Sequence, residues 1–212
     1  MSKSANNTGK TEGGASTNLV CVFCASSDSP DSSYNEAAEA LGREIAKAGY
    51  GLVYGGGGRG LMGRVACSVN DNNGDVLGII PRALTKIEGS NLDVGRTILV
   101  DNMHERKRMM NDNAMAFIAL PGGLGTMEEL LEMSTWSYLS IHAKPVIVVN
   151  TNGFYSALKE LIDKAIEAGF IKSANRGIIQ FCDTPKEAVA AIKTYTLPST
   201  RHDINWATDA PM

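Results

Sequence analysis

The chain offers little that would tie it to a membrane, a metal or a nucleic acid. No apolar run approaches the roughly 20 residues a bilayer span requires, and no secretory apolar segment follows Met1. Excess charge is also missing. Lys and Arg number 20 against 23 Asp and Glu, and a net charge of −3 excludes a general polyanion-binding surface. Cysteine is sparse, at four residues. Cys21 and Cys24 are spaced C-x-x-C, but they lie in the apolar run Leu19–Cys24, where an extended strand sends them to opposite faces. A redox pair needs its first thiol at a helix start, and a zinc site needs a second ligand pair that the sequence lacks. All four cysteines, Cys67 and Cys182 included, are therefore expected to be buried small hydrophobes. No metal site and no cofactor are expected, and the expected location is cytoplasmic.

What is present is an alternation. Apolar, β-branched runs recur at 19–24, 52–54, 76–80, 97–100, 115–120, 145–149 and 178–182. Helical spacing fills 34–48, 60–72, 103–113, 126–139, 155–168 and 185–195. This order predicts one α/β domain over 18–197: a doubly wound, Rossmann-like, mostly parallel sheet of about seven strands with helices on both faces. Residues 1–17 are rich in Ser, Thr, Asn and Gly and read as a disordered tail, and 198–212 as a loose one. Lys144-Pro145 opens one strand, and Thr184-Pro185 reads as an N-cap followed by Pro at the first helical position.

Ligands of such sheets bind beyond the carboxyl ends of the strands. Three of those ends are unusual. Ser26 and Ser27 follow the first strand and would let backbone and hydroxyl approach a ligand. Tyr54-Gly-Gly-Gly-Gly-Arg-Gly60 follows the second. Its glycines match the dinucleotide fingerprint formally, but the next strand ends in Ile80-Pro81-Arg82 where a ribose-binding acid belongs, and no Gly-Lys-Ser/Thr makes it a Walker loop. Gly56 and Gly57 are expected to cradle a nucleotide or sugar phosphate. The third end is Pro121-Gly122-Gly123-Leu124-Gly125-Thr126-Met127-Glu128, an apolar strand running through a bare turn into a helix. Backbone amides and the helix dipole there favour an anion, a phosphate above all. Glu128, one turn away, suggests chemistry on the bound molecule, while Glu129 reads as an ordinary dipole acid.

Upstream, Met103-His104-Glu105-Arg106-Lys107 enters a helix at the same sheet edge. Arg106 offers a planar fork for phosphate or carboxylate, Lys107 a second cation and Met103 apolar bulk. His104 is expected to pack or cap near its helix start, and His142 to sit in a loop. On the following helix Glu128, Glu132 and Thr135 share a face.

Pro121–Glu128, together with Met103–Lys107, the Tyr54-Gly-Gly-Gly loop, Ile80–Leu84, Ile87-Glu88 and Thr135-Trp136, resembles the LOG ("Lonely guy") family of cytokinin riboside 5′-monophosphate phosphoribohydrolases, whose members are often labelled lysine decarboxylases. The likeness runs from about Val20 to Tyr195, and Leu124 stands where the family often has an aromatic. It implies hydrolysis of the N-glycosidic bond of N6-modified AMP, with AMP a further candidate, to free base and ribose 5-phosphate. It implies Arg106 and Glu128 as the catalytic pair, with Glu88, Lys107, Gly122, Gly123, Leu124, Gly125, Thr126 and Thr135 contacting the nucleotide. Arg106 would hold Glu128 in register. A homodimer with active sites near the interface is implied as well, with neither nucleic acid nor membrane as partner. Two rivals stand beside this reading. A pyridoxal-dependent decarboxylase needs a pocket lysine, and Lys47, Lys86, Lys144 and Lys159 read as surface positions. A non-catalytic nucleotide or cofactor carrier would keep the glycine turns without needing Arg106 and Glu128.

Overall fold

A computed structural model describes residues 18–88 and 94–206, with the Glu88 side chain excepted; the expected tail at 1–17 lies outside the described residues. The strands are β1 (Leu19–Phe23), β2 (Gly51–Tyr54), β3 (Val76–Pro81), β4 (Arg96–Val100), β5 (Ala114–Ala119), β6 (Val146–Val149) and β7 (Ile179–Cys182). Between and after them run α1 (Ser32–Lys47), α2 (Gly60–Asp71), α3 (Thr85–Glu88), α4 (Met103–Asn113), α5 (Leu124–Tyr138), α6 (Ser156–Glu167) and α7 (Pro185–Thr194). The strands form one sheet in the order β4-β3-β2-β1-β5-β6-β7, and each neighbouring pair is parallel. The doubly wound α/β architecture follows the alternation in the sequence. Of these α-helices α3 alone went unforeseen, because four residues are too few to display a helical period, and the short 3-10 turns at Arg82–Leu84, Thr151–Gly153 and Ser173–Ile178 escaped for the same reason.

Strand alternation builds two cores. Val20 and Val22 face Leu41 and Ile45 of α1 and Val65 and Val69 of α2. Leu19, Cys21 and Phe23 face Met110 of α4 and Leu130 and Met133 of α5. Each fully buried aliphatic side chain contributes about 1.5–3 kcal/mol, so the helices are fixed on both faces mainly by packing. Side chains set their starts. Asp31 accepts from the Ser33 amide at 3.0 Å, and Asn102 from the Glu105 amide at 2.9 Å. Thr184 and Glu187 form a reciprocal capping box with Pro185 inside it.

From β1 the chain winds outward through β2, β3 and β4, then returns to β5 on the other side of β1. That reversal opens a crevice at the carboxyl ends of β1 and β5, where a parallel sheet receives its ligand.

The looseness expected of the C-terminal segment does not hold for 198–206. These residues form neither helix nor strand, yet they are tied to the end of α5. Arg201 donates to the carbonyls of Ser137 and His142 at 2.7 and 3.0 Å. The His202 amide donates to Tyr138 at 3.0 Å and the Trp206 indole to Leu139 at 2.8 Å. Such links have no hydrophobic period, which is why the sequence pattern hid them.

Candidate active site

β5 delivers the chain through Leu120 and Pro121 into the glycine turn. Gly123 is the N-cap of α5 and offers no side-chain bond, and no acid occupies the first helical turn. A Cβ added at Gly123 or at Gly125 would meet nothing within 4 Å, so both glycines border open space. Gly122 differs: an added Cβ would lie 2.2 Å from the Thr126 hydroxyl oxygen, and Thr126 is buried. The turn therefore combines a packed hinge with an open lip of backbone amides that α5 itself cannot satisfy. The helix begins at Leu124 rather than at the expected 126, which moves Glu128 from its first turn into its second.

Ala25, just past β1, joins the two glycine-rich segments. Its amide donates to the Pro121 carbonyl at 3.2 Å, and its carbonyl accepts from the Met62 amide of α2 at 3.2 Å. A cavity of about 300 Å³ opens at this junction, walled by Cys24–Ser26, Met62, Leu84, Met103, Arg106, Gly123–Thr126, Glu128 and Glu129. The structure thus brings Ser26, Met103, Arg106, Gly123, Leu124, Gly125, Thr126 and Glu128 around one space. Sequence reasoning missed Met62, Leu84 and Glu129. The first two carry no chemical signature, and Glu129 is not confined to the dipole role expected of it.

The cations are arranged differently from expectation. Arg106, 5% exposed, donates from Nη2 to the Gly55 carbonyl at 3.2 Å and turns Nη1 toward the Met103 sulfur at 3.7 Å. It braces the first glycine loop. Lys107 holds Glu128 instead: its Nζ lies 2.5 Å from Glu128 Oε1 and 3.0 Å from Glu132 Oε1. One residue along α4 is about 100° around the axis, which turns Arg106 to the β2 loop and Lys107 to α5. Burial works against the Lys107 ammonium, but the hydrogen bonds it donates to Glu128 and Glu132 outweigh that and raise its pKa above the usual lysine value. Lys107 stands behind Glu128 and not on the cavity wall.

Other expected residues lie elsewhere. Gly56 and Gly57 are buried and do not line the cavity. Gly56 has φ of +75°, and a Cβ there would come within 2.9 Å of the Ile80 Cβ, so packing against β3 accounts for the glycine. Gly58 and Gly60 face a separate open cleft of about 870 Å³ between α1 and α2. Thr135 is exposed, donates to the Leu131 carbonyl at 2.8 Å and borders an apolar groove of about 240 Å³ near Ile162 and Phe170. Glu88 closes α3, and its side chain lies outside the described residues.

Three further expectations need correction. Cys67 is exposed, because its position on α2 faces that open cleft rather than the core, whereas Cys21, Cys24 and Cys182 are buried. Burial, then the Glu129 carboxylate, pushes the Cys24 thiol well up. His104 is exposed and Asn102 caps the helix in its place. Lys144 is half-buried and donates to the Asn111 carbonyl at the end of α4, with burial lowering its pKa. His142 is buried, with Nε2 2.9 Å from the Met133 carbonyl and Nδ1 accepting from the Lys144 amide at 3.1 Å. Both nitrogens are engaged as in a neutral ring, and burial takes its pKa down to about 4. Among the described residues no helix is long and apolar enough to cross a membrane, and no group of three or more His, Cys, Asp or Glu is placed to hold a metal ion.

A parallel sheet whose switch crevice opens onto bare helix-start amides, flanked by an arginine and a glutamate, defines a Rossmann-like protein shaped for a small anionic ligand. Comparison with known proteins sharpens this. The family described as "Possible lysine decarboxylase" matches residues 62–192, and the chain belongs to that family, the LOG proteins. It is similar to cytokinin riboside 5′-monophosphate phosphoribohydrolase LOG3 of Arabidopsis thaliana, at 48% identity over 83% of this chain and 82% of that one. The rice enzyme of the same description, LOG from Oryza sativa subsp. japonica, is 44% identical over 91% of this chain and 79% of its own. Among solved structures, the Moco carrier protein of Chlamydomonas reinhardtii superposes with a TM-score of 0.64 at 18% identity, covering 84% of this chain and 96% of that one. At that identity the likeness concerns the fold alone.

Proposed function

We propose that this chain is a hydrolase that cleaves the N-glycosidic bond of cytokinin riboside 5′-monophosphates, releasing the free base and ribose 5-phosphate. One observation carries the reading. A half-exposed carboxylate, Glu128, stands on the cavity wall one helical turn beyond an open lip of backbone amides. From Gly123 to Glu128 the axis advances about 7.5 Å, comparable with the length of a ribose 5-phosphate. A phosphate on the amides of Gly123, Leu124 and Gly125 therefore sets the anomeric carbon beside Glu128. Breaking C1′–N9 builds positive charge on the ribose, which a carboxylate stabilises while it accepts a proton from the attacking water. The departing base leaves with the bond's electron pair and takes a proton from solvent, to which the carboxylate returns the one it drew from the attacking water. Arg106 serves the phosphate or a sugar oxygen from the opposite wall, held by Gly55. The phosphate, remote from the reacting carbon, supplies binding energy that orients it. On this reading the protein works in the cytoplasm, where nucleoside monophosphates are available.

A homodimer belongs to the same proposal. Leu124, Met127 and Leu131 are 87%, 40% and 46% exposed along one side of α5. An apolar stripe beside the cavity is what a second copy would cover, and light scattering at micromolar protein checks it, a monomeric mass counting against. The carrier alternative has the shared fold as its support and nothing at the cavity that favours it.

The test is incubation with isopentenyladenosine monophosphate and with AMP, following free base by chromatography. Release of base is expected, and Glu128→Gln or Arg106→Ala each lowers turnover roughly 10²–10³-fold with the fold retained, the scale of one preorganised electrostatic group. Activity within threefold of the parent in either variant overturns the assignment.

A further inference from the structure

The anion lip has two sides, and the cavity described above occupies one of them. On the other, a second recess of about 270 Å³ opens where the ends of β1 and β5 meet the loop after β6. Tyr34, Leu61, Pro121 and Phe154 give it apolar walls, and Gly122 and Gly123 leave one side bare. Ala25 and Gly123 border both spaces, whereas Leu124, Gly125 and Thr126 border only the first. The boundary between the two therefore runs through the residue that caps α5.

We propose that this recess is a second ligand subsite, which takes a flat, uncharged ring carried on the far side of the phosphate. The molecule that fills both spaces is then a nucleoside 5′-phosphodiester rather than a bare monophosphate. The proposal rests on the phosphate seat of the reading above and not on which bond is cleaved. Three observations carry it. The first is position. A phosphate at Gly123 stands at the mouth of both spaces, so a group esterified opposite the nucleoside enters the recess without lifting the phosphate from the lip. The second is the chemistry of the wall. Tyr34 and Phe154 meet edge to face, with ring centroids 6.0 Å apart and planes at 76°, and such a pair offers a further ring a place to stack or abut. Among the described residues the wall carries one charged side chain, Asp28, which Arg64 Nε already engages at 2.8 Å. A second phosphate would meet an acid and no cation there, so a diphosphate is disfavoured where a neutral ring is not. Sites for drug-sized molecules begin near roughly 300 Å³, so the recess suits one ring system and not a second whole nucleoside. The third observation is that the wall is built. Asn152 takes left-handed backbone at φ 53°, which asparagine tolerates, and its side chain donates to Asp31 Oδ2 at 3.2 Å and Ser33 Oγ at 2.7 Å at the start of α1. On the other flank of Phe154, the buried Tyr155 hydroxyl donates to the Leu120 carbonyl at 2.8 Å. Phe154 is thus pinned from both neighbours yet remains 37% exposed, and a ring fixed before binding loses little freedom when a ligand meets it.

Two esters of AMP separate the ring from the phosphate. Phenyl and methyl esters carry the same single negative charge and differ only in the group on the far side. Calorimetry is expected to show the phenyl ester bound roughly tenfold more tightly, the scale of burying one ring's apolar surface; equal affinities overturn the proposal. Phe154→Leu keeps apolar bulk and removes the flat face, so the phenyl advantage should shrink to about threefold or less, and an advantage as large as in the parent overturns the subsite equally. Proton NMR of the parent complex needs no variant to fold. Overhauser contacts from the phenyl protons to the rings of Tyr34 and Phe154 are expected, whereas contacts to the Met62 and Met103 methyls would place the ring in the first cavity and end the proposal. Preference for the phenyl ester in a protein that releases no base from isopentenyladenosine monophosphate would sink the hydrolase reading and leave the subsite standing. Base release with equal affinity for the two esters would do the reverse.

Discussion

The two glycine-rich strand ends look alike in sequence and do opposite work. After β2, Gly55, Gly56 and Gly57 are buried, and a side chain at either of the first two would strike Arg106 or β3. After β5, Gly123 and Gly125 have empty space where a side chain would be. One segment is bare so that the protein can pack against itself, the other so that something else can approach. Both sit on the edge where β1 divides the sheet, and Arg106 ties them together by bracing the first while lining the cavity of the second. Glycine content alone does not separate the two uses, but the neighbours of an added Cβ do.

Substitution to alanine tests that contrast. The largest effect is expected at Gly55→Ala, whose Cβ would fall 1.9 Å from Arg106 Nη2. The guanidinium must swing aside, and turnover should drop on the order of 10²-fold with a native circular dichroism spectrum. Turnover within threefold of the parent would show that Arg106 tolerates another pose. Gly56→Ala should act on stability. A positive φ and a 2.9 Å approach to Ile80 together destabilise by about 2–4 kcal/mol, read as a Tm lower by on the order of 10 °C; an unchanged Tm would remove the packing explanation. Gly125→Ala should reverse that pattern. A methyl on the open lip intrudes where the phosphate would lie, raising KM roughly tenfold for one weakened charge-assisted contact, while the helix gains about 0.5 kcal/mol. Equal KM in parent and variant would mean that the phosphate sits elsewhere. The smallest effect is expected at Gly123→Ala. Its φ of −89° suits any residue, so Tm should hold and KM rise about threefold at most; a collapse in Tm would put this glycine in the same class as Gly56.

The sequence made the sheet legible because its signals were local and repeated: apolar runs at 19–24 or 115–120 can only be strands buried on both faces. The anion turn was legible for a similar reason, since Pro121 to Glu128 combines a strand end, bare backbone and a helix start within eight positions. What escaped depended on helical phase and on distant partners. Whether Arg106 or Lys107 meets Glu128 turns on the rotation of α4 against α5, which neither helix encodes alone. Gly56 looked like a ligand contact because its true neighbour, Ile80, is one strand away. Cys67 was misplaced because α2 turns it to a cleft whose other wall is α1. Lys144 passed for a surface residue because its partner, the Asn111 carbonyl, belongs to a distant helix end.

The strap at 198–206 has a practical consequence for anyone handling this protein. It answers the carbonyls of Ser137, Tyr138 and Leu139, the closing residues of the helix whose opposite pole carries the anion lip. Trimming the chain after Leu197 would leave that helix to unwind from its far pole, eroding ligand affinity from some twenty ångströms away, about the length of the helix. An affinity handle therefore belongs beyond Trp206, never in its place.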